Sequence, residues 1–164
     1  MKFSKSIYKF SKTVLFLLLT VTLISCAKDD SPENENDSNF YLTAKIDGVY
    51  FTKENVLASV VPDETAFYSI GAVGGDFSIG LTLNSPISVG TFTPAVGETI
   101  TLFYQEISPY AVWAASEDGG SGTITITENN ATYVAGTFSF TGVNPLDNTT
   151  KQITEGKFKA KKIQ

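Results

Sequence analysis

Cys26 is the only cysteine in the chain, and its thiol has the most specific chemistry that the sequence offers. A thiolate is a strong nucleophile, so its sulfur can be alkylated. There is no histidine, and all 12 basic residues are lysines, so arginine is absent as well. Missing histidine excludes imidazole bases, Ser-His-Asp or Cys-His nucleophile systems and histidine metal ligands. Missing arginine excludes the guanidinium fork that recognises phosphate.

The residues before Cys26 form three zones that are typical of a secretory signal. Four lysines in the first 12 residues form a basic stretch, residues 14–24 form an apolar run, and Ser25 is a small residue at the junction. The apolar run has 11 residues, whereas a helix needs about 20 to span a bilayer. The sequence therefore predicts a signal peptide over residues 1–25, cleaved between Ser25 and Cys26, rather than a permanent transmembrane helix.

The segment Leu23-Ile24-Ser25-Cys26 resembles the bacterial lipobox, with a branched apolar residue three positions before the cysteine and a small residue just before it. In lipoproteins with this motif, a diacylglyceryl group is attached to the sulfur, the preceding peptide bond is cut and the new amine is acylated. Each buried CH₂ contributes about 0.8 kcal/mol, so several acyl chains on one residue anchor stably. The resemblance implies lipidation of Cys26, and the alternative is an ordinary signal with a chance cysteine.

Residues 26–39 contain no apolar side chain after Ala27, so they cannot bury enough surface to overcome their ordering entropy. We predict a flexible acidic tether. Its Lys28-Asp29-Asp30 segment resembles the signal that sends Bacteroidota lipoproteins to the outer face of the outer membrane. A merely solvating acidic linker is the alternative interpretation.

The mature chain is strongly acidic. It keeps 8 lysines and 17 carboxylates after the signal is removed, so its formal charge is 8 − 17 = −9. A surface of this charge repels nucleic acid, and we expect no nucleic-acid partner.

From Phe40 onwards, β-branched and aromatic residues alternate with small polar ones, and turn-forming residues interrupt the pattern at short intervals. This is typical of many strands joined by turns. Asp47-Gly48 can take positive φ at both positions and predicts a type I′ turn. We predict strands over residues 40–46, 49–51, 56–61, 66–73, 77–83, 99–106, 110–115, 123–127, 132–141 and 151–163.

Alternation also predicts which side chains share a face. In residues 123–127 the isoleucines face one side and the threonines the other, and in the return strand Val134, Gly136, Phe138 and Phe140 share a face. No sustained 3.6-residue period is present, so we expect little helix. The sequence predicts an all-β domain over residues 40–164, an antiparallel β-sandwich, with a closed β-barrel as the alternative.

Several strand and turn patterns resemble a family of Bacteroidota lipoproteins with an uncharacterised all-β domain. The resemblance covers most of the mature chain and implies a domain of unknown function, with no active site to carry over. The segments that carry it are Ala44–Phe51, Gly90–Phe92, Ser121–Ile126, Gly136–Phe140 and Ile153–Phe158.

Tyr104, Tyr110 and Trp113 are the candidate ligand-binding residues, because aromatic faces on a β scaffold can stack on sugar rings or apolar ligands. Aromatic residues also dominate cores, and we favour the core interpretation for this stretch.

Carboxylates supply two further candidate sites. The acidic, glycine-rich residues 117–120 could offer oxygen ligands to Ca²⁺, with Asp76 or Asp147, but they lack the spacing of a calcium loop, so we favour a solvated turn and expect no metal. A pair of carboxylates would suffice for glycoside hydrolysis. Its candidates are Glu98, Glu106, Glu117 and Glu128.

Lys157, Lys159 and Lys161 alternate with apolar residues and form a charged row on one face of the last strand. Such a row could meet an anionic glycan or a membrane surface. Lysines also protect edge strands from pairing with another chain, and we favour this protective interpretation.

These observations predict a lipid-anchored cell-envelope protein in the outer membrane, exposed at the cell surface if the signal after Cys26 acts. We expect a non-enzymatic binding or structural domain without a cofactor, with a carbohydrate or a protein as its unidentified partner. The alternative is a carboxylate-dependent glycoside hydrolase or a carbohydrate-binding module.

Overall fold

The computed structural model of the protein describes residues 40–61, 67–84 and 86–163. The predictions of a signal peptide and a tether lie outside the described residues, and so do the predicted cleavage, lipidation and export residues Ser25, Cys26, Lys28, Asp29 and Asp30.

The described residues form eleven strands and contain no helix, which confirms the all-β prediction. None of them belongs to a helix that is long and apolar enough to cross a membrane. The strands are β1 (Tyr41–Ile46), β2 (Val49–Glu54), β3 (Leu57–Val61), β4 (Phe67–Val73), β5 (Phe77–Asn84), β6 (Gly90–Phe92), β7 (Thr101–Ile107), β8 (Tyr110–Ala115), β9 (Ser121–Asn129), β10 (Tyr133–Val143) and β11 (Thr150–Ile163).

The predicted turn between the first two strands is confirmed. Asp47 and Gly48 have φ values of 46° and 85°, and Ile46 pairs directly with Val49. A two-residue loop with positive φ at both positions matches the right-handed twist of the strands that it joins. The second strand continues beyond the predicted end at residue 51 to Glu54.

All eleven strands belong to one mixed sheet, and its pairings run round a ring of seven strands: β11, β3, β4, β5, β7, β8 and β10. Strands β1 and β2 extend from this ring at β11, and β9 and β6 extend from it at β10, so β2 and β6 are the edge strands. A closed barrel requires continuous pairing round a ring, whereas a β-sandwich has free edges, and this sheet has both features. Among the strand pairs of the described residues, β11 and β3 are parallel and the other pairs are antiparallel.

The ring closes between β10 and β8 through the pair Val143 and Ala114. A Cβ placed on the neighbouring Gly142 would lie 2.7 Å from the carbonyl carbon and oxygen of Trp113. Any larger residue would therefore push the two strands apart at this junction.

The last strand is an internal strand, and the edge interpretation of its lysines is wrong. β11 pairs with β1 on one side and with β10 on the other, so it has no free edge for lysines to protect over residues 153–159. The last strand in the sequence lies inside the sheet rather than at its edge, and a local sequence pattern does not indicate this position. The charged row on β11 therefore has a different explanation.

The core consists of the inward-facing side chains, which alternate with outward-facing ones along most of the strands. The predicted faces of β9 and β10 are confirmed, since Ile124, Ile126 and Val134 are fully buried, and Phe138 and Phe140 are each 4% exposed. The other large, fully buried side chains are Leu42, Val56, Ile70, Ile79, Leu81, Leu83, Leu102, Ile153 and Phe158.

Replacing Gly136 by alanine will destabilise the domain, because the new Cβ would lie 2.1 Å from the main-chain oxygen of Thr125. Overpacking of this kind costs about 1–3 kcal/mol. Gly75→Ala is the control, since nothing lies within 4 Å of its Cβ position. The free energy of unfolding in urea measures both, and equal stabilities of the two variants would contradict the close approach of β9 to β10.

Candidate functional site

The structure brings Tyr104 and Trp113 together and leaves Tyr110 apart from them. Tyr104 pairs with Trp113 across β7 and β8, and their ring centroids are 5.9 Å apart. Their exposed fractions are 6% and 8%, whereas Tyr110 is 71% exposed. The burial of two of these three side chains is what the core interpretation expected.

Lys151, at the start of β11, places its ammonium group over both buried rings. Its Nζ lies 5.5 Å from the ring centroid of Tyr104 and 5.2 Å from that of Trp113. The same Nζ is 3.3 Å from Asp47 Oδ2 and 3.4 Å from Glu106 Oε1. We call these five residues the aromatic–lysine cluster. Its charges balance only in part, because one ammonium faces two carboxylates.

The polar atoms of the cluster have partners within the protein. Trp113 Nε1 donates a hydrogen bond to Thr149 Oγ1 at 2.9 Å, and Tyr104 Oη donates one to Glu106 Oε1 at 3.4 Å. Thr149 Oγ1 in turn donates to Asp147 Oδ1 at 2.7 Å. The ammonium already occupies the position that a cationic ligand would take over the rings. The arrangement is therefore suited to holding the turns together at this end of the sheet.

The cluster shifts two pKa values. Burial lowers the pKa of Lys151, but the carboxylates of Asp47 and Glu106 outweigh burial and raise this pKa above the ordinary 10.5. Burial and then the charge of Glu106 raise the pKa of Tyr104 above 10.0, against the opposing effect of Lys151. Lys151 is thus held as an ammonium and Tyr104 as a neutral phenol through the neutral pH range.

The carboxylates considered for hydrolysis have different partners. Glu98 Oε2 accepts a hydrogen bond from Asn84 Nδ2, and Glu117 Oε2 accepts one from the Gly97 amide. Glu128 accepts one from the phenol of Tyr133, and Glu106 belongs to the aromatic–lysine cluster.

The candidate calcium loop forms a tight turn that is closed by a bridge between Ser116 and Gly119. Asp118 lies on this turn, and its amide donates to Ser116 Oγ. Over residues 40–61, 67–84 and 86–163, no group of three or more potential metal-ligating side chains comes together.

A groove on the outer face of β1, β9, β10 and β11 was not identified from the sequence. It has a volume of about 650 Å³. We call it the hydroxyl groove, because its floor is lined by Thr43, Thr123, Thr125, Thr137 and Ser139.

Strand register creates the hydroxyl groove. Residues directly opposite each other on paired strands share a face, and the pairings align one row of side chains across six strands. Thr91 and Thr125 in this row lie close enough for their hydroxyl oxygens to share a hydrogen bond of 3.0 Å. In order from β6 to β2, the row is Thr91, Thr125, Thr137, Lys157, Thr43 and Thr52.

Two tyrosines and an ion pair border the groove. Tyr41 on β1 and Tyr50 on β2 line it, with 38% and 65% of their surfaces exposed. Glu155 also lines it and forms a 2.7 Å ion pair with Lys45. Glu155 has a φ of 52°, and the register of β11 against both neighbours shifts near this residue. A bulge here turns the carboxylate towards Lys45.

The fold and these two features define an all-β domain with a filled aromatic–lysine cluster and an open, hydroxyl-lined outer face. A family model described as Domain of unknown function (DUF6252) matches residues 38–160, and the chain belongs to this family. This confirms the uncharacterised domain that the sequence resemblance implied. No curated protein and no solved structure matches the chain significantly.

The Lys151→Met variant will lose stability at neutral pH, by about 1 kcal/mol because the ion pairs are partly exposed. A raised pKa means that the contribution of Lys151 is fully present below pH 10.5 and is lost as the pH rises through the folded-state value. The free-energy difference between wild type and variant, measured by urea unfolding, will therefore shrink between pH 9 and pH 12. A difference that stays constant over this range would contradict the assignment.

Proposed function

We propose that this protein is a lipid-anchored component of the bacterial cell envelope whose all-β domain is a non-enzymatic binding module. The observation that carries the proposal is the position of Cys26, which follows Leu23, Ile24 and Ser25 in lipobox order. A lipidated first residue followed by an acidic segment would hold the domain close to a membrane while leaving its surface accessible to a ligand.

The hydroxyl groove supports a binding role for the domain. Hydroxyl groups both donate and accept hydrogen bonds, so a row of threonines can pair with a ligand rich in hydroxyls. The exposed rings of Tyr41 and Tyr50 offer apolar faces beside this row. These features favour a carbohydrate-binding module over a purely structural role.

The non-enzymatic part of the proposal rests on how the candidate catalytic groups are engaged. Among the described residues that line the hydroxyl groove, Glu155 alone supplies a carboxylate, and it is paired with Lys45. Glycoside hydrolysis needs a second carboxylate about 5–9.5 Å away across the bond to be cut. The aromatic–lysine cluster brings two carboxylates to one ammonium, and this arrangement favours a stabilising role.

We further propose that the protein resides in the outer membrane and is exposed on the cell surface. The support is the Lys28-Asp29-Asp30 segment directly after the lipidated position.

Replacing Cys26 by serine removes the sulfur that accepts the diacylglyceryl group. We expect the signal peptide to be retained and the lipid-dependent membrane association of the mature form to be lost. Metabolic labelling with a fatty-acid probe, together with membrane fractionation and the mass of the N-terminal peptide, measures both effects. Unchanged processing and membrane retention would overturn the anchoring proposal.

Protease treatment of intact cells tests surface exposure. The proposal predicts that the β domain is cleaved from whole cells, and that a variant with Lys28, Asp29 and Asp30 replaced by alanine is protected while remaining in the outer membrane. Cys26 is untouched in this variant, so anchoring serves as the internal control. Protection of the wild-type domain would rule out surface display.

A further inference from the structure

The lysine row on β11 lies on the outer face of the sheet, and Lys157 is the member of this row that lines the hydroxyl groove. Because β11 pairs on both sides, these lysines do not shield an edge. Lys157 stands in the centre of the aligned row, with Thr137 beside it on β10 and Thr43 beside it on β1. Its side chain is exposed and lines the groove.

The neighbouring cations on this face are already engaged. Lys45 is paired with Glu155 at 2.7 Å, and Lys159 lies over the ring of Tyr133 with its Nζ 4.3 Å from the ring centroid. Within the part of the chain that the structure describes, Lys157 forms no ion pair. The groove therefore presents one available ammonium among hydroxyl groups.

We infer that the hydroxyl groove binds an acidic polysaccharide, with Lys157 pairing to the carboxylate of a uronic acid unit. This inference rests on the binding function proposed above and names its ligand class. The threonine hydroxyls provide hydrogen bonds to sugar hydroxyls, and Tyr41 and Tyr50 provide ring faces for stacking. The chain as a whole is acidic, but Lys45, Lys157 and Lys159 share the outer face at the groove, so a carboxylate is attracted to this face locally.

Isothermal titration of the mature chain, residues 26–164 with Cys26→Ser, tests this directly. The probes are an oligogalacturonate and a neutral maltooligosaccharide of the same length. We expect the oligogalacturonate to bind and the neutral sugar to bind at least tenfold more weakly, which is about 1.4 kcal/mol. Binding should weaken as salt is added, because the ion pair is exposed.

Matched variants identify the groove. Lys157→Gln should lower the affinity about tenfold and reduce the salt dependence, and Lys157→Arg should retain most of the affinity. Thr137→Val removes a central hydroxyl at nearly constant volume and should also weaken binding. Lys53→Gln is the control, because Lys53 pairs with Leu42 and so shares the opposite face of the sheet. Urea unfolding of each variant separates loss of binding from loss of folding.

Several results would overturn the inference. The inference fails if the oligogalacturonate does not bind. It also fails if Lys157→Gln binds it as tightly as the wild type, or if Lys53→Gln loses as much affinity as Lys157→Gln. Equal binding of poly-glutamate would show that charge alone is recognised rather than a saccharide. Binding of the neutral sugar alone would contradict the acidic ligand while leaving the carbohydrate-binding function in place.

Discussion

Strand β11 is the constraint on which the rest of the structure depends. It is 14 residues long, and it pairs with β1, β10 and β3. In the described sheet, β11 joins β1 to β3 and β10. This junction can therefore form only once the last strand is in place. Because side chains alternate along a strand, this one element contributes Ile153 and Phe158 to the core and Lys157 to the outer face.

A bulge at Glu155 interrupts the pairing of β11 with both of its neighbours. A Cβ on Gly156 would lie 2.5 Å from the main-chain oxygen of Phe138, so the glycine lets β10 approach closely and its phenylalanine ring pack there. The preceding Glu155 takes a positive φ and points to Lys45. One irregularity thus sets both the packing of the core and one border of the hydroxyl groove.

Local patterns predicted much of the fold, and non-local pairing could not be predicted from them. Alternation located ten of the eleven strands and the buried faces of β9 and β10, and the Asp47-Gly48 turn followed from the φ values that these residues tolerate. The strand β6 has three residues, which is too short for a periodic signal. The position of β11 depends on contacts between residues more than 100 positions apart, such as Lys45 and Glu155, and these leave no mark in a local pattern.

The same distinction applies to the candidate sites. Composition singled out Tyr104 and Trp113 as aromatic candidates, but their association with Lys151, Asp47 and Glu106 depends on three distant segments. Alternation predicted a threonine face on β9, whereas the alignment of five threonines and Lys157 across six strands depends on register. The groove and its central lysine therefore emerge only when the sheet is assembled.

Amide hydrogen exchange of the native domain tests the internal position of β11 most directly. Successive amides of an internal strand are bonded alternately to its two neighbours, so we expect all amides from Ile153 to Lys159, apart from those at the bulge, to exchange as slowly as the most protected amides of the core. On the end strand β2, alternate amides should exchange rapidly. Rapid exchange of every second amide in β11 would show that it is an edge strand and would contradict this account.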